Sequence, residues 1–217
     1  MVDVTFPKID LTTVKGVMVD LDDTLYSYET IHPKALFDVF QKFSFNLSFD
    51  SFSELYRHHR ELVTKRLLPQ GACRSRLLAF QSMVEETGMQ AKYEAILEME
   101  NLYWNGFYSR MSLFPSAKTF LDSCFDLSLP VAVVTDMTAG VQIRKLKALG
   151  ILDNIFCLVT SEEVGAEKPF RNIFETALRK LSINPESAVF IGDSKEKDFE
   201  GASRLGIKAY LVGDSNK

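Results

Sequence analysis

The sequence predicts an α/β fold, a doubly wound parallel sheet carrying an inserted four-helix cap subdomain. Three observations point there. A β-branched apolar run at residues 14–19 stops at Asp20-Leu21-Asp22-Asp23-Thr24-Leu25, as a buried strand does when it delivers side chains to the carboxyl edge of a sheet. From about residue 115 onward, short β-type runs alternate with helical patterns, the signature of parallel strands covered by helices on both faces. Between these two regions, residues 28–113 keep helical spacing throughout and lack strand-like alternation.

Taken in order, the first core strand is the run at 14–19. The insertion then holds one helix marked by Ala35, Leu36, Val39, Phe40 and Phe43, and two more marked by Leu55 with Leu62 and by Leu77, Phe80 and Val84. A fourth shows three-four spacing at Tyr93, Ile96, Leu97, Glu100, Tyr103, Trp104 and Phe107, a broad apolar stripe with one carboxylate in it. A connection this long requires its own subdomain. Later strands are predicted at 130–135, 155–160, 188–192 and 208–212, with helices at 116–124, 138–149, 171–181 and 197–205. Gly150, Gly206 and the Asn184-Pro185 pair stand where helices should stop. The expected division is therefore a core of residues 1–26 and 114–217 and a helical cap of residues 27–113, with linkers near 26–28 and 111–115.

Bulk properties narrow the function. The 217 residues can bury a good core, and a composition of 46% hydrophobic and 25% charged residues is that of a soluble globular chain. A net charge of −4 gives no electrostatic case for nucleic acid or an anionic membrane as partner, although a local metal and one lysine can still hold a small phosphorylated ligand. Cys73, Cys124 and Cys157 are far apart and form no zinc pattern, so they read as reduced thiols of a cytoplasmic protein. The chain begins without a signal-peptide pattern, and no apolar run is long enough to span a bilayer.

The chemistry collects at the expected strand ends. Three carboxylates within four residues at 20–23 repel one another, and a hard divalent ion is the natural compensation, unless the acids merely cap a helix or sit in a solvated turn. Of the alternating pair, one of Asp20 and Asp22 can act as nucleophile while the other carries a proton. Thr135-Asp136 ends the second core strand, just before a helix start at Thr138-Ala139-Gly140 that can seat an oxyanion, or Thr135 caps that helix. Lys168-Pro169 follows the third strand, where a fixed ammonium can neutralise phosphate or hold a carboxylate ionised; a solvated surface lysine is the plainer alternative. Gly192-Asp193-Ser194 ends the fourth, and Asp198 can cap the next helix or reach back toward a metal or Lys168.

In this order and spacing the residues resemble the haloacid dehalogenase-like (HAD) hydrolase superfamily, over essentially the whole chain. Asp20-x-Asp22-x-Thr24 resembles its first motif, Thr135 its second, Lys168-Pro169 its third and Gly192-Asp193-Ser194-x-x-x-Asp198 its fourth. The insertion resembles the subgroup with an all-helical cap, so a Rossmann-like core is implied. The resemblance implies that Asp20 forms an aspartyl-phosphate and that Asp22 serves as general acid and then base. It also implies that Thr135, Asp136 and Lys168 surround the phosphoryl group. Mg²⁺ is then held by the Asp20 carboxylate, the Asp22 backbone carbonyl and Asp193, with Asp198, Thr24 and Ser194 in support. Two departures stand out: Asp136 replaces the usual asparagine of the second motif, and Phe170-Arg171 follows the third where an acid and a proline are common.

The retained Asp22 favours a phosphatase, nucleotidase-like in its motifs, because a halide leaving group needs no acid. A 2-haloacid dehalogenase, a phosphomutase and a non-catalytic binding module on the same scaffold are the alternatives. The substrate is expected to be a small phosphorylated metabolite, a nucleotide or a sugar phosphate, with phosphoglycolate fitting nearly as well, and the protein a monomer or a homodimer. In the cap, Arg57, His58, His59 and Arg60 form a basic cluster and Arg74 and Arg76 follow a turn; they suit a second anion or a solvated face. Arg74, Glu29 and His32 are the expected specificity residues, and Glu100 is either a paired core carboxylate or a pocket group.

Overall fold

The computed structural model describes residues 3–87 and 93–214. Chain order gives β1 (Val4–Thr5), β2 (Gly16–Val19), β3 (Val131–Thr135), β4 (Cys157–Thr160), β5 (Ala188–Gly192), β6 (Lys208–Leu211) and β7 (Gly213–Asp214). Five strands form one parallel sheet in the order β4-β3-β2-β5-β6, while β1 and β7 pair antiparallel beside it. Central β2 aligns Val19 with Val133 on one side and with Ile191 on the other. The strand order reverses at β2, so a crevice opens beyond its carboxyl end, where Asp20 stands.

Side-chain alternation along the strands separates two cores. Val17, Val19, Val131, Val133, Val189 and Ile191 face one apolar cluster; Met18, Ala132, Val134 and Phe190 face the other. The first cluster runs without interruption into the insertion, through Phe52, Phe80, Tyr103 and Phe107. Its helices are α1 (Tyr28–Lys42), α2 (Phe49–Leu67), α3 (Arg76–Glu86) and α4 (Tyr93–Tyr108). Ser27, Ser48 and Ser75 begin the first three, each hydroxyl accepting the amide three residues on, which satisfies one of the orphan donors of a helix start.

The core helices follow as α5 (Pro115–Asp126), α6 (Ala139–Ala148), α7 (Ser161–Val164), α8 (Arg171–Leu181) and α9 (Gly201–Ser203). Gly150 after α6 has φ +72° and Gly206 after α9 has φ +78°, a backbone that admits glycine far more readily than residues with a Cβ. Two expectations change. The helix predicted at 197–205 is a π-helical turn at Lys195–Glu200 followed by the single turn of α9. The Phe199 amide donates to the Ser194 carbonyl at 3.1 Å, a five-residue closure that widens the turn while Asp198 is drawn back toward the sheet edge. On α4 the buried face is Ile96, Met99, Tyr103, Trp104 and Phe107, whereas Tyr93 and Leu97 of the predicted stripe are exposed.

Candidate active site

Asp20 leaves β2 with its amide still bonded to the Ile191 carbonyl at 2.9 Å, so the sheet ladder fixes its position. It is buried, and Lys168 Nζ donates to its Oδ1 at 2.6 Å. The same ammonium stands 2.7 Å from Asp198 Oδ1. Asp198 Oδ2 accepts the Ser194 amide at 3.0 Å, so Asp198 both braces its turn and reaches Lys168. A Cβ at Gly192 would lie 2.3 Å from Asp198 Oδ2, so the absence of a side chain at the β5 terminus is what admits this carboxylate. Thr24, fully buried, places its hydroxyl 3.5 Å from Asp20 Oδ2 and 3.4 Å from Asp193 Oδ1.

Asp20, Asp193 and Asp198 each offer one carboxylate oxygen within 4.8 Å of the others. Three acids share one lysine there. Burial, followed by the Asp198 charge, pushes the Asp193 carboxyl up to about 6, and burial raises Asp20 as well despite Lys168. Among the described residues, no hydrogen bond of good geometry reaches the buried Asp198 Oδ1, although Lys168 lies close. An all-oxygen donor set with surplus negative charge and an unsatisfied buried lone pair suits a hard divalent cation.

Asp22 points elsewhere. Its Oδ1 lies 2.5 Å from Nζ of Lys145, a lysine of α6 that is completely buried, and it also accepts a short hydrogen bond from the Tyr26 hydroxyl. Gln142, also buried, donates to Asp22 Oδ2 at 3.1 Å and to Thr135 Oγ1 at 2.7 Å, tying the two strand ends together. Rings of Tyr26, Tyr28, Trp104 and Phe107 stand 5.7 to 5.9 Å from the Lys145 ammonium, so residues of the insertion close over it. Burial alone would raise the Asp22 carboxyl, but Lys145 and the hydrogen bonds outweigh it and hold it below the ordinary range. An acid form of Asp22 therefore needs added negative charge beside it.

Asp136 does not aim an unpaired charge at the site. Its Oδ1 accepts the Lys168 amide at 2.8 Å and its Oδ2 pairs with Lys197 Nζ at 2.7 Å. Lys197 also reaches Glu167 Oε2 at 3.0 Å, and Glu167 takes a two-pronged bond from Arg74 at 2.6 and 2.7 Å. Against the raising effect of burial, Arg74 and Lys197 bring the Glu167 carboxyl down to about 2. Two amides at the start of α6 are already used, Met137 by the Ser161 hydroxyl at 2.7 Å and Ala139 by Glu162 Oε2 at 2.8 Å. Thr135 is a buried strand end and not a helix cap; Thr138 takes the cap position.

One cavity of about 350 Å³ gathers Asp20, Asp22, Thr135, Asp136, Lys168, Asp193, Ser194, Asp198 and Arg74. Asp23 lines it too, in a left-handed backbone conformation, and its carboxylate accepts the amides of Tyr28 and Glu29 at the start of α1. Glu29 is exposed and His32 lines the adjoining cap cavity, where its Nδ1 is 2.7 Å from the Tyr103 hydroxyl. Glu100 is half-buried on α4, its carboxyl raised by burial. Sequence reasoning missed Lys145, Gln142 and Lys197. The signal for the first two was present: on α6 they occupy the stripe set by Val141 and Leu146, polar residues where apolar ones belong.

A parallel α/β core with carboxylates and lysines gathered at its switch point, beneath an inserted helical layer, defines a hydrolase-type site at the carboxyl edge of a Rossmann-like sheet. The chain belongs to the haloacid dehalogenase-like hydrolase family, whose description matches residues 17–212. It is 32% identical over 206 residues to a ribulose-1,5-bisphosphate 5-phosphatase of Halopiger xanaduensis, covering 93% of this chain and 86% of that one. It is 30% identical over 201 residues to a glyceraldehyde 3-phosphate phosphatase of Methanopyrus kandleri, covering 92% and 84%. In structure it resembles the magnesium-bound HAD-hydrolase YfnB of Bacillus subtilis, with TM-score 0.69, 18% identity and 90% and 87% coverage. A 2-haloacid dehalogenase of Pseudomonas syringae shares the fold as well, with TM-score 0.69, 22% identity and 90% and 85% coverage.

Proposed function

We propose that the protein is a phosphatase that hydrolyses a small phosphomonoester of the sugar-phosphate kind through an aspartyl-phosphate on Asp20. The observation that carries this reading is the separation of the two motif-one carboxylates: Asp20 faces Lys168 and the acid trio, while Asp22 is held apart by Lys145, Tyr26 and Gln142. Asp20 attacks phosphorus, and the departing ester oxygen takes its proton from Asp22. Asp22 then removes a proton from water as that water breaks the acyl-phosphate bond and frees both phosphate and Asp20. The phosphoryl dianion beside Asp22 offsets Lys145 and lifts its carboxyl toward the acid form. Lys168 and Thr135 hold the phosphoryl oxygens, and the Lys197 pairing of Asp136 keeps that carboxylate from repelling them.

Mg²⁺ fits the donor set: Asp20, Asp193 and the Asp22 carbonyl would hold it, with Asp198, Thr24 and Ser194 in support, and it would supply charge neutralisation at the phosphoryl oxygens. The helices within 27–113 act as the cap that excludes water. Free cysteines support a reducing, cytoplasmic setting, and no helix among the described residues is long and apolar enough to cross a membrane.

The relatives named as sugar-phosphate phosphatases and the presence of Asp22 favour this chemistry over dehalogenation. The test is phosphate release with and without Mg²⁺ from a panel containing glyceraldehyde 3-phosphate, ribulose 1,5-bisphosphate, nucleoside monophosphates and an aryl phosphate, run beside chloroacetate without metal. Metal-dependent release from at least one ester is expected. Chloride release from chloroacetate would establish a dehalogenase instead, and inertness toward every compound would favour a binding module.

A further inference from the structure

Arg76, the first residue of α3, is 3% exposed yet makes no ion pair with any carboxylate among the described residues. Its Nη1 donates to the Arg74 carbonyl at 2.7 Å and its Nη2 to the Tyr28 hydroxyl at 2.5 Å, while Nε is buried without a partner among the described residues. Rings of Tyr28, Tyr103 and Trp104 lie 5.4 to 5.6 Å from the guanidinium carbon, which softens its desolvation but leaves a full positive charge. Glu100 on α4 feels that charge without pairing with it. Arg60 of α2 donates to the same Arg74 carbonyl at 3.1 Å and likewise has no ion pair among the described residues.

Arg60 and Arg76 both line the cavity that holds Asp20 and Lys168. The other cations there are engaged: Arg74 by Glu167, Lys145 by Asp22, Lys168 by Asp20 and Asp198, Lys197 by Asp136 and Glu167. A buried charge without a counter-ion is unfavourable in a folded protein unless a ligand completes it. We propose that Arg76, with Arg60 beside it, is a subsite for a second anionic group of the substrate, either a carboxylate or a second phosphate. The guanidinium fork matches both. This rests on the phosphatase reading above and adds the substrate class: a phosphomonoester that carries another anion, in preference to a neutral sugar or polyol ester. A neutral ligand would leave the guanidinium unpaired, and a site built around an unmet polar group rejects such analogues.

The test is equilibrium binding to the Asp20→Asn protein, chosen because loss of the nucleophile should slow turnover by on the order of 10⁴ or more. Glycerol 3-phosphate is compared with 3-phosphoglycerate, which replaces a hydroxymethyl by a carboxylate, and fructose 6-phosphate with fructose 1,6-bisphosphate. The anion-bearing member of at least one pair should bind about tenfold to a hundredfold more tightly, and the pair that shows it identifies carboxylate or phosphate as the second group. Adding Arg76→Met should bring that ratio close to one, and Arg76→Lys should keep part of it. Equal affinity within both pairs overturns the proposal, as does an unchanged ratio in folded Arg76→Met; the ligand comparison itself needs no change at Arg76. Discriminating binding without phosphate release from any ester by the wild type would keep the subsite and remove the phosphatase reading.

Discussion

On the sheet side of the cavity, every lysine already has a carboxylate partner before any ligand arrives, and the surplus charge is negative. Lys168 serves Asp20 and Asp198, Lys145 serves Asp22, and Lys197 serves Asp136. On the cap side, Arg74 is paired with Glu167, but Arg60 and Arg76 have carbonyl, hydroxyl and ring contacts in place of carboxylates. The first surface is organised for reaction: its charges hold one another in position, so little rearrangement accompanies phosphoryl transfer. The second is organised for recognition, with positive charge left for a ligand to complete. Glu167 links the two, because its carboxylate takes Lys197 from the core and Arg74 from the loop before α3.

The contrast can be broken most strongly at Asp20. Asp20→Asn should lower kcat/KM by on the order of 10⁴ or more, since a nucleophile and its partners act as a unit. Steady-state phosphate release measures it, and retention of more than a tenth of the activity would contradict the assignment. Next comes Lys168→Met, which strands two buried carboxylates without their counter-charge. Urea unfolding should show a loss of about 3–5 kcal/mol, because removing one partner of a buried pair leaves an uncompensated charge. Unchanged stability would mean that Asp20 and Asp198 are compensated by other groups.

Lys145→Met should act on the pH profile. Without the ammonium, burial raises the Asp22 carboxyl, so the alkaline limb of kcat, which reports the complex in which the phosphoryl group stands beside Asp22, moves to higher pH by about one unit, equivalent to about 1.4 kcal/mol. A limb that stays in place would show that Asp22 is not the acid. An effect confined to acid pH concerns His32, whose protonation burial and then Arg76 push down to about 3. Its folded value lies below the unfolded one, so the stability it contributes is full above about pH 6.5 and is lost as pH falls toward 3. Replacing it in His32→Gln should flatten the acid side of the stability curve in that window, measured by denaturant midpoints; an identical slope would contradict the burial argument.

The two surfaces also differed in how far the sequence disclosed them. Asp20, Thr135 and Asp193 each stand at or just past the end of an apolar run, and parallel strands carry such residues to one edge whatever the details of packing; Lys168 reaches that edge from the loop after α7. The insertion was legible as helices for the same kind of reason, since three-four spacing is local. Lys145 pairs with Asp22 across 123 positions, and the pairing depends on the rotation of α6 against β2, which no local pattern encodes. Glu29 and His32 stand close to motif one in the chain but outside the cavity lining, because Asp23 ties down the first amides of α1 and the helix then leads away. Arg74 reaches the cavity, yet Glu167 already occupies its guanidinium fork. The isolation of Arg76 is a property of everything packed around it, so the sequence could show only that a basic residue stood there. The helix expected at 197–205 is present as a helical segment, but its first part is wound as a π turn where Asp198 bends back to Lys168, a local rule overridden at the site itself.

The most direct test of covalent chemistry at Asp20 is acid quenching during turnover of the best ester with Mg²⁺, followed by phosphopeptide mass spectrometry. The expected result is a phosphoryl group on the peptide containing Asp20, present in the wild type and absent from Asp20→Asn. Steady turnover with no phosphoryl group on that peptide, or with one on a different residue, would contradict it.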